Sequence, residues 1–180
     1  MKIIQATEDD AKAIASLILQ TAKAQLRGEF SDDGWDLFLK LLNEDTQKSL
    51  IKNKKFNYIV AVAERSNVAK NSDLKTQGLK PTNEIVGVLV IKDVNHIFHF
   101  FIKPSWQGKG LAKLLWDQAV IEIHDALNKQ TIKAHNHKDS VSVNSSDFGL
   151  NFYQHIGFVM EAGRQKKNGI CYTPMRFTFS

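Results

Sequence analysis

The run Gly108-Lys109-Gly110-Leu111-Ala112-Lys113 sets two glycines and two lysines within six residues, between the apolar stretch HIFHFFIK and a helical pattern. Glycines let the backbone bend sharply and approach a ligand, and a helix start leaves N–H groups without partners. Such a turn can hold an anion, and a phosphate or pyrophosphate fits it. The turn carries neither G-x-x-x-x-G-K-[ST] nor G-x-G-x-x-G, which excludes a Walker A loop and a dinucleotide fingerprint. A tight strand-to-helix connection that binds nothing has the same composition and stays open. Lys109 and Lys113 can meet phosphate groups or merely solvate the helix start.

Other residue types invite chemical readings. His96 and His99 lie on one strand pattern, and imidazole titrates near neutrality; an odd step along a strand changes face, so only one of the two should face a cleft. Either can equally be a strand histidine satisfied by a carbonyl or by solvent. His135-Asn136-His137 lacks a third metal ligand, and no metal site is expected. Cys171 is the only cysteine, so no intramolecular disulfide forms and a reducing compartment suits the chain. No adjacent base would activate its thiol, and it reads as a small buried hydrophobe.

The elements that position these residues follow from periodicity. KIIQA reads as a short strand, and Thr7 with Glu8, Asp9 and Asp10 opens a helix whose apolar face is Ile14, Leu17, Ile18 and Ala22. Ser31 or Asp32 caps a second helix with Trp35, Phe38, Leu39 and Leu42 as its buried stripe, continuing toward Leu50. YIVAVAE, EIVGVLVIKD and HIFHFFIKP are three strands, and Ser66 to Asn83 between the first two is expected to be a mobile loop. Leu111, Leu114, Leu115, Ala119, Ile123 and Ala126 mark a long helix from near Gly110. VSVNSS is a strand, FGLNFYQHIGF a helix ending at Gly157, and the tail a hairpin turning at Asn168-Gly169. The order β-α-α-β-β-β-α-β-α-β-β mixes strand blocks with helices and predicts an α/β fold around a mixed sheet.

The 180 residues make one domain, 1–180, with an ordinary globular composition of 43% hydrophobic and 24% charged residues. No apolar run reaches the roughly 20 residues needed to cross a bilayer, and MKIIQATEDD lacks a signal-peptide core, so a cytoplasmic protein without a membrane partner is expected. The net charge of +5 is scattered over the sequence, and no zinc spacing or densely basic helix face points to nucleic acid.

The segment from Gln107 to Ala112 resembles the R/Q-x-x-G-x-G/A signature of the GNAT superfamily of N-acetyltransferases, where this turn binds the pyrophosphate of acetyl-CoA. FIKPSWQGKG resembles the family's fourth strand and its exit, Tyr153 with Gly157 and Phe158 its Tyr-x-x-x-Gly-Phe element, and NGICYTPM the closing strand of a subgroup. The similarity runs in order from Tyr58 to Met175 and implies a mostly antiparallel central sheet flanked by helices, with the first helices in the variable substrate-facing region. It implies acetyl-CoA as cosubstrate and no metal, with contacts from Phe101, Ile102 and Lys103 on the strand and from Gln107, Gly108, Lys109, Gly110, Leu111, Ala112 and Lys113 at the turn. Asn144, Ser146 and Tyr153 would flank the pantetheine arm, although Ser146 stands where asparagine is commoner.

The family reaction is direct acetyl transfer to an amine in a ternary complex. The resemblance implies a backbone N–H, at Ile102, for the carbonyl and Tyr153 as general acid, a phenol of ordinary pKa about 10 that keeps its proton at neutral pH. His96 lies eleven residues before Gln107, where histone-acetylating members place a catalytic glutamate, and is the candidate base; Glu84, Asp93, Glu122 or an ordered water are weaker alternatives. Asp32, Asp33 and Asp36 can attract a cationic amine or only cap a helix. The acceptor is left open as a small-molecule or peptide amine, and a homodimer is compatible with the family. The rival reading is a non-catalytic acetyl-CoA-binding regulatory module.

Overall fold

A computed structural model of the chain describes residues 1–65, 82–131 and 140–179. The loop expected over 66–83 lies outside the described residues except for its last two, and so does His135-Asn136-His137. The strands are β1 (Lys2–Gln5), β2 (Phe56–Arg65), β3 (Thr82–Lys92), β4 (His96–Ile102), β5 (Ser140–Ser145), β6 (Val159–Met160), β7 (Gln165–Lys167) and β8 (Ile170–Thr178). The helices are α1 (Ala11–Gln25), α2 (Asp32–Lys40), α3 (Glu44–Lys52), α4 (Leu111–Thr131) and α5 (Leu150–His155).

The strands form one mixed sheet in the order β1-β2-β3-β4-β5-β8-β6, with β7 hydrogen-bonded to β8. Every pairing is antiparallel except β4 with β5. One face packs on α4 and α5 through residues such as Leu89, Leu115, Ala119, Ile123 and Phe158. The other packs on α1 and α2 through Ile14, Ile18, Trp35, Phe38, Val60 and Val88. Burying both faces of a sheet under helices removes the β-branched runs of β2 and β3 from water, the dominant stabilising term in such a fold.

The expected apolar stripe of α1 is buried at all four positions. The helix expected from Trp35 to Leu50 is two helices. Asn43 accepts from the Thr46 N–H at 2.8 Å and donates to the Lys40 carbonyl at 2.8 Å, closing α2 and opening α3. An Asn side chain competes with the helix ladder for these backbone groups, and an apolar stripe does not report it. Leu114, placed on the buried face of α4 by its spacing, is 46% exposed, and Trp116 is buried in that helix instead.

Ser31 caps α2 by accepting from the Gly34 N–H, and its own N–H donates to the Gly169 carbonyl at 2.8 Å. Gly34 lies so close to Gly169 that a Cβ there would sit 2.5 Å from the Gly169 oxygen. The start of α2 is thereby fastened to the β7–β8 hairpin, which turns at Asn168-Gly169 as expected.

Candidate active site

Strands β4 and β5 pair only at His96–Ser142 and Ile97–Val143, and then separate. The Lys103 N–H donates to the Val86 carbonyl at 2.9 Å. Because antiparallel partners alternate, the N–H and C=O of Ile102 and of Phe100 turn away from β3, toward the side that β5 has left. A strand edge opened inside a sheet offers hydrogen bonds to an extended ligand arm.

At the end of this opening stands the glycine turn. Gly108 and Gly110 adopt φ of 69° and 79°, the left-handed region that glycine enters without strain. The Leu114 N–H donates to the Gly110 carbonyl, and among the described residues none accepts from the backbone N–H groups of 108 to 113. Donors left without an acceptor at the start of a 21-residue helix are groups that could hold an anion. Gln107 is fixed beside them: its Nε2 donates to the Ile102 carbonyl at 2.9 Å, and its amide exchanges hydrogen bonds with Gln25 at the end of α1.

The turn and the opening border one cleft of about 960 Å³. Of the residues singled out from sequence, Phe101, Ile102, Gln107, Gly108, Gly110, Leu111, Ala112, Lys113, Asn144, Ser146, Tyr153 and His96 border it. Lys103 and Lys109 do not. Lys103 forms an ion pair with Glu84, and Lys109 Nζ donates to the Ser105 carbonyl at 2.8 Å while resting over the Trp106 ring. Ser146 Oγ accepts from the Gly149 N–H at 3.1 Å, helping to start α5.

Tyr153 is held in α5 among Phe100, Phe152 and Phe158. Burial pushes its phenol above the ordinary value, so it carries its proton at neutral pH. Among the described residues none is hydrogen-bonded to its hydroxyl. His96 Nδ1 lies 2.9 Å from Ser142 Oγ, which leaves Nε2 as its second ring nitrogen. Burial, and then the Lys92 charge, hold its pKa below the usual histidine value, so the ring is neutral at pH 7.

The expectation that His96 and His99 face opposite ways is corrected by a β-bulge. Ile91 pairs with Ile97 and Val90 with His99, leaving Phe98 as an extra residue in β4. The alternation resets there. Ser142 alternates with the inward-facing Val141 and Val143 of the α4 side, so it and its partner His96 face the α1–α2 side. His99 faces that side too, against Phe38 and Phe101, and both histidines border the cleft. His99 is 6% exposed, and burial lowers its pKa to about 4.

The alternative acids lie elsewhere. Glu122 accepts from Gln5 and Asn57, Glu84 pairs with Lys103, and Asp93 sits in the β3–β4 turn. Asp32, Asp33 and Asp36 are exposed and do not border the cleft; Asp32 pairs with Arg27. Sequence reasoning missed Thr21 and Gln25 of α1, Phe98 and Phe100 of β4, and Phe148. Thr21 is a polar residue within an apolar helical stripe, a signal that could have been read; Phe98 and Phe100 look like any strand core residue. Cys171, discounted from sequence, is half-buried and borders the cleft.

Among the described residues no group of three or more His, Cys, Asp and Glu side chains is placed to hold a metal, and no helix is long and apolar enough to cross a membrane.

The sequence model of the acetyltransferase (GNAT) domain matches residues 26–179. The PaiA N-acetyltransferase of Thermoplasma acidophilum, solved with coenzyme A, is 13% identical with a TM-score of 0.65, over 99% of this chain and 98% of that one. A GCN5-related N-acetyltransferase of Rhodopseudomonas palustris is 15% identical with a TM-score of 0.62, over 99% and 95% of the two chains. A GNAT-family acetyltransferase of Staphylococcus aureus Mu50 is 13% identical with a TM-score of 0.62, over 98% of each. No curated protein matches the sequence. These likenesses show the same fold, and the domain match, which spans most of the sequence, shows that the chain belongs to the GNAT acetyltransferase family.

Proposed function

We propose that the protein is an acetyl-CoA-dependent N-acetyltransferase that moves the acetyl group directly to a primary amine within a ternary complex. The observation that carries the reading is the continuity of the opened β4 edge with six acceptor-less N–H groups at the glycine turn, in one cleft with Tyr153. The residues fit the cosubstrate: the turn suits a pyrophosphate, and the Phe100 and Ile102 backbone suits an extended amide-bearing arm.

When bound, acetyl-CoA supplies an activated thioester acyl group. The chain must then hold negative charge developing on a carbonyl oxygen, keep the amine neutral and return a proton to the departing sulfur. The N–H group of Ile102, on the opened edge of β4, is the donor for the oxygen. The Tyr153 hydroxyl, protonated and without a competing partner, donates to sulfur. Nε2 of His96, neutral and held in orientation by Ser142, receives the amine proton directly or through water. A cytoplasmic setting, an acceptor that is a small molecule or a peptide amine, and no part for nucleic acid belong to the same reading, and a homodimer is compatible with it.

Release of free CoA thiol, measured across a panel of primary amines with mass detection of the acetylated product, tests the reading. Amine-dependent release supports it. Saturable acetyl-CoA binding with no turnover of any amine would make the chain a binding module instead.

A further inference from the structure

The connection from α1 to α2 ties together the two walls of the cleft. On the β4 side, Gln25 and Gln107 exchange amide hydrogen bonds of 2.8 and 3.1 Å. On the β5 side, Oε2 of Glu29 accepts from the Asp147 N–H at 2.8 Å and Oε1 from the Phe148 N–H at 3.5 Å. Between these ties the chain is stiffened by Arg27, whose guanidinium donates to the Phe30 carbonyl at 3.1 Å and lies 5.3 Å from the centre of the Trp35 ring. Phe30 then forms a β-bridge with Ile170. Gln25, Leu26, Glu29 and Phe30 all border the cleft, and Glu29 is the one bordering carboxylate among the described residues.

The turn that Glu29 holds starts α5. Among the described residues no backbone carbonyl accepts from the N–H groups of Asp147 and Phe148. Successive backbone N–H groups bind an anion well, and hydrogen bonds to a carboxylate are stronger than neutral ones. The next residue, Gly149, accepts from the Tyr153 N–H at 3.1 Å, and a Cβ at Gly149 would sit 3.2 Å from Cε2 of the Tyr153 ring. A displacement of this turn therefore carries the phenol with it. The ring's other neighbours, Phe100, Phe152 and Phe158, pack against it without a hydrogen bond to fix the direction of its hydroxyl.

We propose that Glu29 is a positioning residue for the acid: its carboxylate holds the Asp147–Phe148 turn, and the turn sets where the Tyr153 hydroxyl stands. This rests on the N-acetyltransferase reading above, with Tyr153 as the proton donor. Both oxygens of Glu29 are engaged by the turn, which favours this role over direct pairing with the ammonium group of an acceptor.

The test uses the full chain labelled with 3-fluorotyrosine, in which Tyr58, Tyr153 and Tyr172 report and Tyr153→Phe identifies the Tyr153 signal. In Glu29→Ala the Tyr153 signal is expected to move or broaden, while that of Tyr58, bonded to Gln47, stays in place. Glu29→Gln keeps an acceptor oxygen and should return the signal most of the way. Melting curves report whether each variant has folded, and Glu29→Asp, a carboxylate on a shorter stem, carries the comparison if Glu29→Ala does not fold. An unmoved Tyr153 signal in the folded variant overturns the proposal.

Thiol release with tyramine, spermidine and a lysine-containing tripeptide as acceptors reads the consequence. In Glu29→Ala kcat should fall by about 10- to 100-fold, the cost of a misplaced reacting group, with KM for the amine within about twofold and most of kcat recovered in Glu29→Gln. In a Tyr153→Phe background the same substitution should cost nothing further. A raised KM for the amine with kcat unchanged makes Glu29 a ligand of the acceptor and overturns the proposal while the acetyltransferase reading stands. With none of the three amines acetylated, the fluorine comparison decides alone. Absence of acetyl-CoA binding by the folded wild-type chain, read by calorimetric titration, overturns both readings.

Discussion

Replacing Gly110 by alanine isolates the conformational requirement of the anion-binding turn. A Cβ at Gly110 would meet no atom within 4 Å, so the substitution creates no clash. Its cost comes from φ of 79°, a left-handed conformation that costs an L-residue roughly 1–2 kcal/mol. For a domain of this size that strain lowers the melting temperature by about 2–8 °C if the turn keeps its shape. If the turn relaxes instead, its N–H groups are displaced and the strain reappears as weaker acetyl-CoA binding, by about tenfold or more. Gly163→Ala is the matched control, since that glycine is equally open and its φ is not in the left-handed region; its effect should stay within about 0.5 kcal/mol. Differential scanning calorimetry and acetyl-CoA titration on both variants decide the matter. Unchanged melting together with unchanged affinity in Gly110→Ala would refute the claim that the turn depends on that backbone conformation.

Tyr153→Phe should lower kcat by about 10²- to 10⁴-fold while leaving acetyl-CoA affinity and melting nearly unchanged, because the hydroxyl lost has no protein partner to strand; stopped-flow or steady-state thiol release measures it. The acid limb of kcat/KM should fall as pH drops through the pKa of His96. Lys92→Ala removes a charge that disfavours the imidazolium, so the pKa rises and the limb moves to higher pH, which a pH–rate profile in constant ionic strength reads. Gly34→Ala forces a Cβ against the Gly169 backbone, and should destabilise the chain by about 1–3 kcal/mol in urea unfolding. By loosening α2 from the hairpin it should also raise KM for the amine more than KM for acetyl-CoA.

The turn was legible because its chemistry is local: glycines at left-handed positions and a helix start are properties of adjacent residues. The same holds for Gly157, with φ of 96°, and for the Asn168-Gly169 hairpin. The bulge at Phe98 was not legible, since nothing in HIFHFF distinguishes an extra residue from a regular one; it is defined only by how β4 pairs with β3. That miss reversed the side assigned to one histidine. Thr21 and Gln25 escaped for a related reason, as they reach the cleft only through the packing of α1 against β3 and β4. Lys109 looked like a phosphate ligand from its position, yet its long side chain turns back to the Ser105 carbonyl and the Trp106 ring.

The central claim is that one continuous set of backbone donors, from the glycine turn to β4, holds acetyl-CoA. Amide NMR of the labelled protein titrated with acetyl-CoA reads those groups individually. Saturable shifts concentrated at the N–H groups of Gly108 to Lys113 and of Phe100 and Ile102 are the expected result. Binding that leaves these amides unmoved, or no binding by the folded protein, would contradict it.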